Sequence, residues 1–180
     1  MRFDQFTQAL QQAFANAQSL AVGKDHTEIT AAHLLQAMID LSGGALTPLL
    51  LKAGADVRVL RQSLNSELDS FATLSNPTGD VSPSKDLIKV LNLADRMAQK
   101  RGDQFIASEL VVLAIFAAKD RCASFLEKAG VKQSKFLDAV ETLRGGQAVQ
   151  DAGAEENREA LGKYTIGCLF CGVRHVKYDT

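Results

Sequence analysis

The chain has 180 residues, 46% hydrophobic and 23% charged. That is enough apolar material to bury a core and enough charge to keep it in solution, which excludes disorder as a description of the whole chain. The 20 Lys and Arg nearly cancel the 21 Asp and Glu, so no global field draws the molecule toward nucleic acid or an anionic membrane.

At the start, Asp4 and the glutamines at 5 and 8 interrupt the apolar stretch that an export signal needs. The first helix is expected over Asp4 to Val22, with Leu10, Phe14, Ala17, Leu20 and Ala21 on one face at three- and four-residue steps. A second stripe follows in Ile29, Leu34, Leu35, Ala37, Met38 and Ile39. A short helix closes at Lys52-Ala53-Gly54, with Gly54 as the left-handed cap, and a fourth carries Leu60 and Leu64. Residues 71–82, containing Asn76-Pro77-Thr78-Gly79, read as a connection. Ser82 is expected to cap the next helix with Pro83 in its first turn.

Beyond that connection the chain repeats itself. At a separation of 77, the first stripe recurs as Leu87, Leu91, Ala94, Met97 and Ala98, and the second as Ile106, Val111, Val112, Ala114, Ile115 and Phe116. The separation then falls to 76, where Lys128-Ala129-Gly130 lies over Lys52-Ala53-Gly54, and Phe136 and Val140 over Leu60 and Leu64. The apolar run Leu110 to Ala118 is far short of the ~18 residues of a membrane span and reads as a buried helix. The expected fold is all-α, with two pseudo-twofold four-helix repeats at 1–75 and 80–145, eight helices in all. A linker at 146–166 and a tail at 167–180 complete the chain. A short helix over Ala154 to Tyr164 is expected to turn Glu155, Glu156, Arg158 and Glu159 mostly to solvent.

Comparing the repeats suggests a binding surface. Leu93 stands opposite Asn16, about 120° from its stripe, and Leu110 opposite His33, about 100° from its own. Two off-stripe leucines replaced by polar residues in the other repeat point to an asymmetric apolar patch, either an interface between the repeats or a groove for exposed apolar chain.

The motifs resemble the N-terminal domain of the ClpB-type members of the Clp ATPase family. The residues that carry the resemblance are Met1-Arg2-Phe3-Asp4-Gln5-Phe6-Thr7, Val81-Ser82-Pro83-Ser84, Val90-Leu91-Asn92-Leu93-Ala94, Ala98-Gln99-Lys100-Arg101-Gly102-Asp103-Gln104-Phe105-Ile106 and Leu143-Arg144-Gly145-Gly146, and they extend to Lys163-Tyr164-Thr165-Ile166. The resemblance implies a mobile substrate-binding module of an ATP-driven hexamer that threads aggregated protein through a pore alongside an Hsp70-type chaperone system. It also implies that Thr7, Asp103 and Glu109 lie near the substrate-binding surface. Their local readings are a first helical turn for Thr7 and Glu109 and a turn for Asp103. The alternative is an adaptor-binding domain of a protease-associated Clp ATPase. From Gly167 to Thr180 the family pattern breaks, and a frameshift, gene interruption or junction is expected there.

Neither Gly23-Lys24-Asp25 nor Gly162-Lys163-Tyr164 completes a phosphate-binding Gly-Lys-Ser/Thr loop. The chain is therefore expected to hold no cofactor and to hydrolyse no ATP by itself, and the resemblance, to a family whose hexamers assemble through ATPase modules, implies a monomer. Cys168 and Cys171 with His175 offer three of the four ligands of a tetrahedral zinc, but the expectation there is a disordered tail. The three cysteines do not make a disulfide framework, so a reduced, cytoplasmic setting is expected. Cys122 is expected to be semi-buried at a helix start, and His26 and His33 to be surface histidines. Basic runs stop at Lys100-Arg101, too short for a nucleic-acid footprint.

Overall fold

A computed structural model describes residues 3–73 and 81–156, together with the backbone of 165–167 and 174–176. Eight α-helices are present among them: α1 (Gln8–Gly23), α2 (Ala31–Asp40), α3 (Leu46–Lys52), α4 (Val57–Asp69), α5 (Lys85–Arg101), α6 (Ser108–Ala118), α7 (Arg121–Lys128) and α8 (Gln133–Arg144). Two-residue strands β1 (Glu28–Ile29) and β2 (Ser82–Pro83) pair in parallel.

Local chemistry sets the helix ends. Thr7 and Ser84 cap α1 and α5, their side-chain oxygens accepting from the Leu10 and Leu87 N–H groups. Asp56 and Asp120 cap α4 and α7 in the same way. Pro83 lies in β2 instead of a first helical turn, so the expected start at Ser82-Pro83 is displaced: a proline needs no ladder N–H at a sheet edge, and Ser84 takes the cap. Gly54 and Gly130 both adopt φ +93, as Lys-Ala-Gly required. They also meet, because a Cβ on Gly130 would lie 3.0 Å from the Gly54 carbonyl oxygen.

The two helix quartets are bound together by exchanged hydrogen bonds. The Thr7 N–H donates to the Ile106 carbonyl at 3.1 Å, and the Ser84 N–H, at the equivalent place, donates to the Ile29 carbonyl at 2.9 Å. Helix α3 packs on α8 and α4 on α7, and the Asp56 N–H bonds the Ala129 carbonyl. Helices α2 and α6 are central, with every residue of Ala31–Ile39 and Ser108–Phe116 buried. No helix among the described residues is long and apolar enough to cross a membrane.

Two expectations for the C-terminal region need correction. Residues 147–156 pack on the domain as a strap: Gln104 N–H bonds the Val149 carbonyl and Gln8 N–H the Ala152 carbonyl, both at 2.8 Å. Residues 154–156 are helical and Glu155 is 1% exposed rather than solvent-facing. In the tail, β3 (Thr165–Gly167) and β4 (Arg174–Val176) pair antiparallel. Cys168 and Cys171, and the rest of the expected 154–164 helix, lie outside the described residues.

Candidate functional site

The strap docks on the N-terminal ends of α1 and α6. Glu155 reaches between them: its Oε1 accepts from the Thr7 hydroxyl at 2.5 Å and from the Ser108 N–H at 2.9 Å. A helix N-terminus suits a carboxylate, since its first N–H groups lack intrahelical partners. Burial, and next the Glu109 charge, raise the Glu155 pKa to about 7.

Beside it lies a buried ionic cluster. Arg144, at the end of α8, donates from Nε to Glu109 at 3.0 Å and from Nη1 to Asp103 at 2.7 Å. All three side chains are almost wholly enclosed. Asp103 Oδ1 also accepts the Val149 N–H at 2.8 Å, joining the cluster to the strap. The guanidinium pKa is raised: burial alone would lower it, and the Glu109 and Asp103 carboxylates outweigh that.

Thr7, Asp103 and Glu109 are thus brought together, but as interior groups. Thr7 is 0% and Glu109 2% exposed, so neither offers a surface to a partner. Sequence reasoning missed Arg144 and Glu155, although the repeat carried a signal for the first. At the separation of 76, Arg144 stands where the first repeat has Leu68, which is fully buried. A cation at a core position requires buried carboxylates beside it.

The leucine pair divides. Leu93 is half-buried against the core, whereas Leu110 is 0% exposed and cannot line an open groove. Angular offset from a stripe failed as a test of exposure because α6 is buried on nearly every side, as a helix apolar all round is. The pseudo-equivalent His33 is equally buried, so position 110 differs from its twin in chemistry rather than in accessibility.

The histidines are interior too, correcting the surface expectation. Thr30 N–H donates to His33 Nδ1 at 3.1 Å, which leaves the ring proton on Nε2, facing His26 Nδ1 at 2.8 Å. Phe71 packs edge-on to His26. Burial, then Lys24, lowers the His26 pKa. Burial, then His26, lowers that of His33 to about 4. Cys122 is fully buried rather than half-buried, and burial first, then Asp120, pushes its thiol well up, so it is a core residue and not a nucleophile. No group of three or more metal-ligating side chains occurs among the described residues.

Among the described residues, two of the cavities that open on the surface are of a size to take a side chain. One, of about 330 Å³, is lined by Asp4, Gln11, Phe14, Ala15 and Gln18, and the Phe14 ring lies 6.3 Å from that of Phe6. The other, of about 420 Å³, lies where the first turns of α2, α5 and α7 converge.

The chain matches the family described as "Clp repeat (R) N-terminal domain" over residues 5–129. It is 51% identical over 166 residues to the chaperone protein ClpB of Pseudomonas putida, a match that covers 92% of this chain and 19% of that protein. The chain thus spans about a fifth of the length of the curated relatives it matches. The N-terminal domain of Hsp104 from Candida albicans has a similar fold, with TM-score 0.74 and 22% identity, covering 83% of this chain and 98% of that one. A complex of the ClpV N-domain with VipB peptide is also similar in fold, at TM-score 0.65 and 19% identity, covering 81% of this chain and 91% of that one. The chain belongs to the Clp N-terminal domain family, and within it resembles the N-terminal part of ClpB chaperones.

Proposed function

We propose that the chain is the substrate-capturing N-terminal domain of a ClpB-type chaperone that disaggregates and refolds damaged protein. The observation that carries this reading is the 51% identity to a ClpB over 92% of the chain, confined to 19% of the longer protein. Capture rests on apolar contacts at two places. The pocket over Phe14 takes an apolar side chain while Asp4, Gln11 and Gln18 meet the flanking peptide groups. Leu93 supplies a second, half-exposed contact. Peptide binding by a domain of this fold has a precedent in the ClpV N-domain complex.

Thr7, Asp103 and Glu109 serve capture indirectly in this reading, by holding the strap that leads out of the domain. Energy coupling, an Hsp70-type partner and hexamer formation belong to the longer protein. The chain alone acts as a monomeric binding module in the cytoplasm.

The test is binding to a dye-labelled, permanently unfolded casein. Phe14→Ser and Leu93→Ser are expected to weaken binding while helical content stays constant. Unchanged affinity in both folded variants overturns the reading, as does preference for a folded adaptor over the casein.

A further inference from the structure

The first helices of the two repeats present opposite chemistry to solvent. None of the 16 residues of α1 is charged, and its exposed face carries Gln8, Gln11, Gln12, Asn16 and Gln18. The equivalent helix α5 exposes Lys85, Asp86, Lys89, Arg96 and Lys100. The cavity of about 330 Å³ opens on the uncharged helix, where Gln11, Phe14, Ala15 and Gln18 line it. At the separation of 77 these four correspond to Ile88, Leu91, Asn92 and Asp95. Leu91 is 1% exposed, so the second repeat has neither the paired glutamines nor a half-open apolar side chain between them.

The two glutamines can each pair with a peptide group, because an amide both donates and accepts. Gln11 Nε2 donates to the Phe6 carbonyl at 2.9 Å, which holds that side chain in place and turns its Oε1 into the group left to accept. The exposed Gln18 side chain makes no hydrogen bond among the described residues. Gln11 and Gln18 stand two turns apart, about 10 Å along the helix axis. An extended chain covers that distance in about three residues. The middle one of the three then lies over Phe14 and Ala15.

We propose that this face of α1 takes an extended segment of unfolded polypeptide without acidic residues, and holds it by its backbone as well as by one apolar side chain. The inference rests on the capture reading and names the class of segment captured. The apolar side chain enters the cavity beside Phe14, a peptide N–H on one side of it donates to Gln11 Oε1, and a peptide carbonyl on the other accepts from Gln18 Nε2. Ala15, the small residue between, lets the segment's backbone approach the helix. Pairing with peptide groups makes the site tolerant of sequence. Acidic residues are the exception: α1 offers them no cation, and Asp4, the one charged residue lining the cavity, opposes them. Helix α5, with its lysines and Arg96, would favour the opposite class.

The test titrates the whole chain with a dye-labelled, end-blocked peptide Ser-Gly-Gln-Thr-Leu-Thr-Gln-Gly-Ser, beside the labelled unfolded casein. One twin is N-methylated at Leu and both threonines, which removes N–H groups and no side chain; a second carries Asp in place of both threonines. Saturable binding of the parent peptide is expected, weaker by about threefold or more for each twin, the size of one lost neutral hydrogen bond. Gln18→Met keeps the length and helix propensity of an exposed side chain and removes only its amide. It is expected to weaken the parent peptide by a similar factor. Amide shift mapping of the unaltered chain needs no variant to fold and should move Gln11, Ala15 and Gln18. Equal or tighter binding of the N-methylated twin, of the Asp twin or by Gln18→Met overturns the inference, as do shifts confined to α5. The capture reading survives any of these outcomes so long as the parent chain binds the casein, and falls if it does not.

Discussion

Thr7 and Glu155 are 148 residues apart in sequence and joined by a 2.5 Å hydrogen bond. Through it the cap of the first helix also anchors the segment that leaves the domain. Glu155→Ala is expected to release that segment and to expose the amides of Gln8, Gln104 and Val149 to exchange. Glu155→Gln, which still accepts from Thr7 and Ser108, should leave them protected. Equal protection in the parent and the alanine variant would show that the strap is held by its backbone alone.

Docking should also depend on pH. The native Glu155 pKa of about 7 lies above the ordinary 4.5, so the folded state binds more protons between those values. Its contribution is complete below about 4.5 and is lost as pH rises through about 7. Exchange protection factors at the three strap amides should therefore fall between pH 5 and 8 in the parent and stay flat in Glu155→Gln. Asp103, Glu109 and Arg144 face the same region and remain in both proteins, so the difference between the two profiles isolates Glu155.

The histidine pair has the opposite sign. Both pKa values are lowered from 6.5, that of His33 to about 4, so the unfolded chain takes up protons first. Stability should fall as pH drops from about 6.5 toward 4. His33→Leu, the side chain the second repeat carries at Leu110, should flatten this slope in a thermal melt. It should also lower stability at pH 7 by about 1–3 kcal/mol, because the Thr30 N–H and His26 Nδ1 lose their partner. An unaltered slope would place the titration elsewhere.

Arg144→Leu restores the Leu68 chemistry of the first repeat but strands two buried carboxylates. A loss of about 3–5 kcal/mol is expected in chemical denaturation. Combining it with Glu109→Ala and Asp103→Asn removes both stranded charges and should recover a large part of that loss. If the triple variant is no more stable than the single, the damage comes from shape rather than charge.

Leu93→Ser and Leu110→Ser should behave differently. The buried Leu110 loses apolar contacts on every side, and its replacement should cost about 3–5 kcal/mol. The half-buried Leu93 should cost about 1 kcal/mol. A combined variant that binds poorly is therefore uninformative unless folding is measured beside it.

Periodicity and the repeat made the helices, their order and the pseudo-twofold relation legible in the sequence. Lys-Ala-Gly placed both left-handed glycines, because a helix end is a local event decided by backbone conformation. The resemblance to ClpB-type domains likewise rested on contiguous motifs, and the comparisons agree with it. The interior polar groups were not legible. Thr7, Asp103, Glu109 and Glu155 are ordinary surface residues by type, and only packing of the strap over two helix ends encloses them. Amphipathic phase cannot separate Leu93 from Leu110, because α6 has neighbours on nearly every side. Sequence by itself thus determined which segments coil and how the halves correspond. The tertiary structure alone decided which charges lose their water, since burial is set by what packs across the chain rather than along it.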